Sequence, residues 1–211
     1  MARGTLITIE GLDGAGKSTL ASALARELRA RGNRLELLRE PGGVELSERI
    51  RDLVKDPALA VAPRAEALLY AAARAQLVHE RIEPLLAQGD VVLLDRFVDS
   101  SLAYQGGGRE LGLDAVRAIN RFATGPLEPD RTLLLRISPA GGRARIGDRA
   151  SVPDRLELED ERFFATIAAS YEQIAAAEPG RVRVLDAQGT PEQVLAEALA
   201  ALAGLGLPGL P

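Results

Sequence analysis

Apolar residues along the chain follow two alternating rhythms, short unbroken runs and longer stretches with a helical repeat. Residues 5–10 read as a strand, and a glycine-rich loop follows from Gly11 to Gly16. Residues 17–31 carry Leu20, Leu24 and Leu28 at i, i+4 and i+8, one face of a helix that Gly32 and Asn33 stop. Residues 34–39 predict a second strand, ended by the breaker Pro41-Gly42-Gly43. Helices are expected over 46–54 and 64–88, the second with a break near Pro84. At Val91–Asp95 four apolar residues lead to a carboxylate, the pattern of a strand buried on both faces. Residues 132–137 and 182–186 complete the strands, with helices over about 157–177 and 191–203, and 204–211 reads as a loose Gly/Leu/Pro tail.

Strand and helix alternate throughout, which predicts an α/β fold with a mainly parallel sheet. A length of 211 residues without linker or repeat suits one domain over 1–211. With no cysteine, neither disulfides nor a cysteine metal site can hold the fold, and the single histidine, His79, argues against zinc sites and a Ser-His-Asp triad. The net charge of −4 argues against a nucleic-acid binder, which needs basic surface. The chain opens without a signal peptide and no apolar run is long enough to span a bilayer, so the expectation is a cytoplasmic enzyme that engages neither membrane nor nucleic acid.

Chemistry enters at Gly11-Leu12-Asp13-Gly14-Ala15-Gly16-Lys17-Ser18, which fits G-x-x-x-x-G-K-[S/T] between a predicted strand and a predicted helix. Glycines let the backbone N–H groups turn inward on phosphate oxygens, and the helix N-terminus adds partial positive charge. Lys17 would place its ammonium on the β- and γ-phosphates and Ser18 its hydroxyl on Mg²⁺, with Thr19 next in the same turn. Asp95, at the end of its strand, is the carboxylate that would complete the protein's share of the metal shell. The expected ligands are therefore ATP and Mg²⁺. A guanine-reading N-K-x-D is absent, since lysine occurs only as Lys17 and Lys55.

Several further motifs in order make the chain resemble the thymidylate kinase family over about residues 6–186. They are Arg39-Glu40-Pro41-Gly42-Gly43, Ala72-Ala73-Arg74-Ala75-Gln76, Asp95-Arg96-Phe97, Ala103-Tyr104-Gln105-Gly106 and Asp154-Arg155-Leu156-Glu157. The resemblance implies a P-loop NTPase fold, a five-stranded parallel sheet flanked by helices with a short lid, here about 138–155. It implies transfer of the γ-phosphoryl group of Mg-ATP to dTMP, and a homodimer. The apolar stripe over 65–77 would be either the dimer interface or core.

By resemblance, Asp13 accepts a hydrogen bond from the acceptor's 3′-hydroxyl, and Arg96 holds the acceptor phosphate. Glu40, Pro41 and Arg51 belong to the acceptor site. Tyr70 would stack on thymine, where the family usually has phenylalanine, and Arg74 one turn later would bond a thymine carbonyl. Ser101 and Gln105 would meet the thymine edge, and Tyr104 would block a ribose 2′-hydroxyl. The loop interior Gly14-Ala15 carries no arginine, so charge on the transferring group must be met from the lid arginines Arg143, Arg145, Arg149 and Arg155, with Arg149 first and Arg145 second. The alternatives are a kinase for another small acceptor and an NTP-binding switch without acceptor-dependent turnover.

Overall fold

Strands β1 (Leu6–Gly11), β2 (Leu35–Arg39), β3 (Val91–Asp95), β4 (Arg131–Arg136) and β5 (Val182–Asp186) form one parallel sheet in the order β2-β3-β1-β4-β5. This computed structural model describes residues 3–147 and 154–210. Ile9 pairs with Asp95 and Gly11 with Leu135, so the carboxyl ends of β1, β3 and β4 lie side by side. Strand order reverses between β3 and β1, and in an open parallel sheet the crevice beyond that reversal is where ligands bind.

Side chains of each strand alternate between two cores. Ile7, Ile9 and Leu93 pack with Leu20, Leu24 and Leu28 of α1 (Lys17–Ala30), the face the leucine spacing predicts. Leu6, Val92 and Leu94 pack on the other side against Leu77 of α3 (Pro63–Leu77) and against Phe97. Helix α2 (Glu45–Lys55), which precedes α3 in the chain, buries Ile50 and Val54 against it. Burying such side chains is worth about 1.5–3 kcal/mol each, so both faces of the sheet are committed and only its carboxyl edge is free for chemistry.

The long helix expected over 64–88 is broken in an informative way. After α3 the backbone widens into a π-helical stretch over Val78–Ile82 before α4 (Glu83–Ala87). Pro84 has no N–H to return to the preceding turn, and the wider turn accommodates it. The sequence carried no expectation for 98–124, yet this segment is helical: α5 (Val98–Ser101), a π-helical continuation over Leu102–Gly108, then α6 (Leu113–Thr124). Gly107 and Gly108 suggest a loop, but a Cβ at Gly107 would stand 2.0 Å from Ser170 Oγ and one at Gly108 2.6 Å from Phe163. These glycines admit α8 (Glu161–Ala177) at close quarters.

Helix α7 (Pro139–Gly147) opens the segment expected to be a lid, and α9 (Pro191–Ala201) follows β5. Helix α8 starts at 161, not 157, because Asp160 caps it by accepting from Phe163 N–H at 2.8 Å, while Asp154 takes the N–H groups of Leu156 and Glu157 in a turn of its own. The tail expected to be loose is docked. Asn33 and Arg31 donate to the carbonyls of Pro208 and Gly209, and Leu207 is buried in the larger core.

Candidate active site

The phosphate loop runs from the end of β1 into α1 with Gly11, Gly14 and Gly16 at φ of 137°, 79° and 93°, values open to glycine and strained for other residues. Gly14 also has a packing reason: a Cβ there would lie 2.2 Å from the Gly142 carbonyl oxygen, so α7 rests directly on the loop. Lys17 is buried in the curl of the loop and donates to Leu12 O at 2.8 Å. Ser18 Oγ donates to Asp95 Oδ2 at 2.8 Å, so the two oxygens expected at a metal already meet.

A cavity of about 340 Å³ opens over this edge. Asp13, Gly14, Gly16, Lys17, Ser18 and Thr19 of the loop are one half of its lining, and Asp95 and Arg96 at the end of β3 belong to it as well. Glu40, Pro41, Arg51, Tyr70, Arg74, Ser101, Tyr104 and Gln105 are the other half, and with Asp13 and Arg96 they make up every residue the sequence assigned to the acceptor. Gly11, Leu12, Ala15 and Arg145 are not in its wall. For Gly11, Leu12 and Ala15, buried in the loop, the contribution is backbone shape.

Arg96 is the hub between the halves. It sits at φ 72°, a left-handed conformation costly for a side chain of its size. Its guanidinium donates to Asp13 Oδ1 at 2.5 Å, Tyr104 Oη at 3.2 Å, Ser100 Oγ at 3.0 Å and Gly11 O at 3.2 Å, and lies 5.0 Å from the Tyr104 ring centre. Tyr104 Oη donates in turn to Asp13 Oδ2 at 2.9 Å. Burial alone would raise the Asp13 carboxyl, but Arg96, Lys17 and the Tyr104 hydroxyl hold it well below the usual carboxylate range. Burial pushes Lys17 down to about 8, Arg96 pushes the same way, and Asp13, Asp95 and Glu10 oppose them.

What holds Arg96 in that conformation is a residue that sequence reasoning missed. Glu10 is fully buried in β1; one oxygen accepts from Phe97 N–H at 2.7 Å and the other from Ser100 Oγ at 2.5 Å and Tyr171 Oη at 3.1 Å. Burial, and then Asp99, raise its pKa. The signal was present: a carboxylate inside an otherwise buried strand.

Arg74 is 2% exposed and its donors are engaged within the protein. It donates to Glu40 Oε2 at 2.7 Å, Ser101 Oγ at 2.9 Å, Phe97 O at 2.9 Å and Asn120 Oδ1. Glu40 is raised to about 7 by burial against the pull of Arg74, and its Oε1 has no partner among the described residues. Arg51 donates to Pro41 O at 2.9 Å and faces the cavity beside it.

The lid arginines part company. Arg145 donates to Ala187 O at 2.9 Å, away from the cavity, and Arg143 lies over the Phe164 ring at 5.6 Å. Arg155 is tied to Glu66 and to Val54 O. Arg149 falls in 148–153, outside the described residues. The sequence made Arg145 the second candidate, after Arg149, for the transferring phosphate; here Arg145 instead braces the β5–α9 loop.

Hard oxygen donors at Ser18 and Asp95 suit Mg²⁺. Among the described residues no group of three His, Cys, Asp or Glu side chains is placed to hold a metal.

A model of the thymidylate kinase family matches residues 9–198. The chain is 49% identical to the thymidylate kinase of Lactobacillus delbrueckii subsp. bulgaricus over 92% of this chain and 93% of that one. It is 46% identical to the thymidylate kinase of Deinococcus radiodurans over 98% and 100%. Among solved structures, the crystal structure of thymidylate kinase from Ehrlichia chaffeensis superposes with a TM-score of 0.77 at 28% identity, covering 95% of this chain and 99% of that one.

Proposed function

The chain belongs to the thymidylate kinase family, whose reaction moves the γ-phosphoryl group of ATP to dTMP, and we propose that this cavity is where the transfer takes place. The observation that carries the reading is that the phosphate loop and the acceptor residues line one cavity and are joined through Arg96, which bonds Asp13 of the loop and Tyr104. ATP lies along the loop with Lys17 on its terminal phosphates, where Ser18 and Asp95 would hold Mg²⁺ and the ion would supply charge that neutralises the phosphates. The dTMP phosphate takes Arg96 and Arg51, its sugar hydroxyl takes Asp13, and Tyr104 fills the space a 2′-hydroxyl would need. Tyr70, Ser101 and Gln105 meet the thymine, and Arg74 reaches it by releasing one of the partners that now hold it, Glu40, Ser101, Phe97 O or Asn120. The attacking phosphate oxygen is already an anion, so no general base is required and the site acts by positioning and charge. Arg149 supplies lid charge in this scheme.

Initial-rate ADP formation with dTMP, dUMP, UMP, CMP, AMP, thymidine or no acceptor tests the assignment. Turnover is expected to be fastest with dTMP and near zero without acceptor. A different preferred acceptor would keep the kinase and remove the thymine roles of Arg74, Ser101 and Gln105; acceptor-independent hydrolysis would favour a switch.

The depressed Lys17 gives a pH signature. Phosphates bound against it favour the ammonium, so binding takes up a proton once the free enzyme has lost it, near pH 8. ATP affinity is therefore expected to hold below that pH and to weaken by up to about tenfold per unit above it. Calorimetry at alkaline pH in two buffers of different ionisation enthalpy counts the proton; an affinity flat across that range would take Lys17 off the phosphates.

The protein works as a single domain and a homodimer in the cytoplasm on this reading. Ala67, Ala71 and Leu77 of the 65–77 stripe are core, leaving exposed Leu68 on α3 and Phe122 on the neighbouring α6 for a partner. No helix among the described residues is long and apolar enough to cross a membrane.

A further inference from the structure

Glu66 has no exposed surface and no contact with the cavity, yet three donors from two parts of the chain converge on it. Gln105 Nε2 donates to its Oε1 at 2.9 Å. Arg155 Nη2 donates to its Oε2 at 2.6 Å, and Arg109 reaches the same oxygen from Nη2 at 3.1 Å while its Nε bridges both oxygens at 3.3 and 3.2 Å. Glu66, Tyr70 and Arg74 stand at i, i+4 and i+8 on α3, so the residue beneath the base site and the residues in it share one helix face.

We propose that Glu66 is a positioning residue that sets base selectivity by dictating which end of the Gln105 amide faces the nucleotide. A carboxylate only accepts, so Gln105 must turn its NH₂ toward Glu66. Its carbonyl Oε1 is then the free end; Gln105 lines the cavity, and among the described residues Oε1 accepts no hydrogen bond. An acceptor at that place suits a pyrimidine with an N3–H, as in thymine and uracil. Cytosine presents an unprotonated N3 there and leaves two acceptors facing. The proposal rests on the reading of this cavity as the thymine site.

Replacing Glu66 by glutamine reverses the logic. Arg109 and Arg155 can only donate, so they claim the carbonyl of the introduced amide, whose NH₂ turns toward Gln105. Gln105 must then offer its own carbonyl inward and its NH₂ to the base. For Glu66→Gln the KM for dTMP is expected to rise about tenfold with kcat within about threefold, and the ratio of kcat/KM for dCMP over dTMP to rise at least about tenfold. In a Gln105→Ala background the same substitution should leave that ratio where Gln105→Ala alone puts it.

Steady-state rates with both acceptors at saturating ATP, on the full chain with folding checked by thermal melting, decide the matter. A Glu66→Gln ratio unchanged while Gln105→Ala shifts it would overturn the positioning role. Gln105→Ala with an unchanged KM for dTMP would instead overturn the base-site reading beneath it. Should Glu66→Gln melt too low to assay, Glu66→Asp carries the test: it withdraws the carboxylate from the Gln105 amide but keeps a charge for both arginines. The ratio must then rise at least about threefold, and no change overturns the proposal.

Discussion

Arg96→Gly is expected to lower kcat/KM for dTMP by about a thousandfold, the scale of about 4 kcal/mol seen when one partner of a buried charged pair is removed. ATP binding, read by nucleotide fluorescence or calorimetry, should change little, because the loop curl and Lys17 are left in place. Glycine is chosen because it separates fold from chemistry. Arg96 holds φ 72°, where a side chain costs about 1–2 kcal/mol that glycine escapes. Both Arg96→Gly and Arg96→Ala lose the fork on Asp13, Ser100 and Tyr104, so both should be equally poor enzymes. The glycine variant should nonetheless melt several degrees above the alanine variant. Equal losses of ATP and dTMP binding would remove Arg96 from the acceptor side, and equal melting temperatures would show that Glu10 and Phe97 impose no strain there.

The same residue shows what a sequence can and cannot disclose. Arg96 was legible beside Asp95 because the chemistry of a phosphate fork travels with the residue type and its neighbours. Its dependence on Glu10, eighty-six positions earlier, was not, since that link exists only where β1 and β3 stand side by side with Ile9 opposite Asp95. Local signals fared best generally. The phosphate loop lies where the motif placed it, and β3 and β5 begin and end at the residues expected, because each is a closed pattern of a few neighbouring positions.

Signals with two physical meanings fared worst. Gly106-Gly107-Gly108 is as consistent with a flexible turn as with a helix that another helix touches closely, and only the position of Ser170 and Phe163 chooses between them. The tail from Gly204 carries glycine and proline typical of a loose end, but Arg31 and Asn33 at the far end of α1 supply donors that pin it. The lid arginines were interchangeable as charges. Packing separates them, giving Arg143 a ring, Arg145 a backbone carbonyl and Arg155 a buried carboxylate. Glu66 was readable in principle as the third member of the Tyr70–Arg74 face, and the i, i+4 argument that joined those two extends to it unchanged.

Lys17→Met should have the largest effect on turnover and a small one on the fold. Lys17 is the loop's only charged donor toward the phosphates that carry the transferring group, and removing such a preorganised donor costs at least about a thousandfold in kcat. The free enzyme holds this ammonium 7% exposed beside Arg96, with burial pushing it down to about 8. A group depressed on folding opposes folding while it is charged, so at neutral pH the apolar, similarly long methionine should leave the nucleotide-free protein as stable as the wild type or more so. Between about 8 and 10.5 the unfolded wild-type chain binds more protons than the folded one at Lys17, so this residue contributes a rise in stability with pH that the variant must lack. Denaturant melts across that range, with and without ATP, measure both consequences. The expected result is a protein that folds, loses the alkaline gain, and no longer gains stability from ATP. A variant that keeps the wild-type rate would sink the phosphate-loop assignment, and one that unfolds outright would show that the bond from Lys17 to Leu12 O holds the loop together rather than poising it.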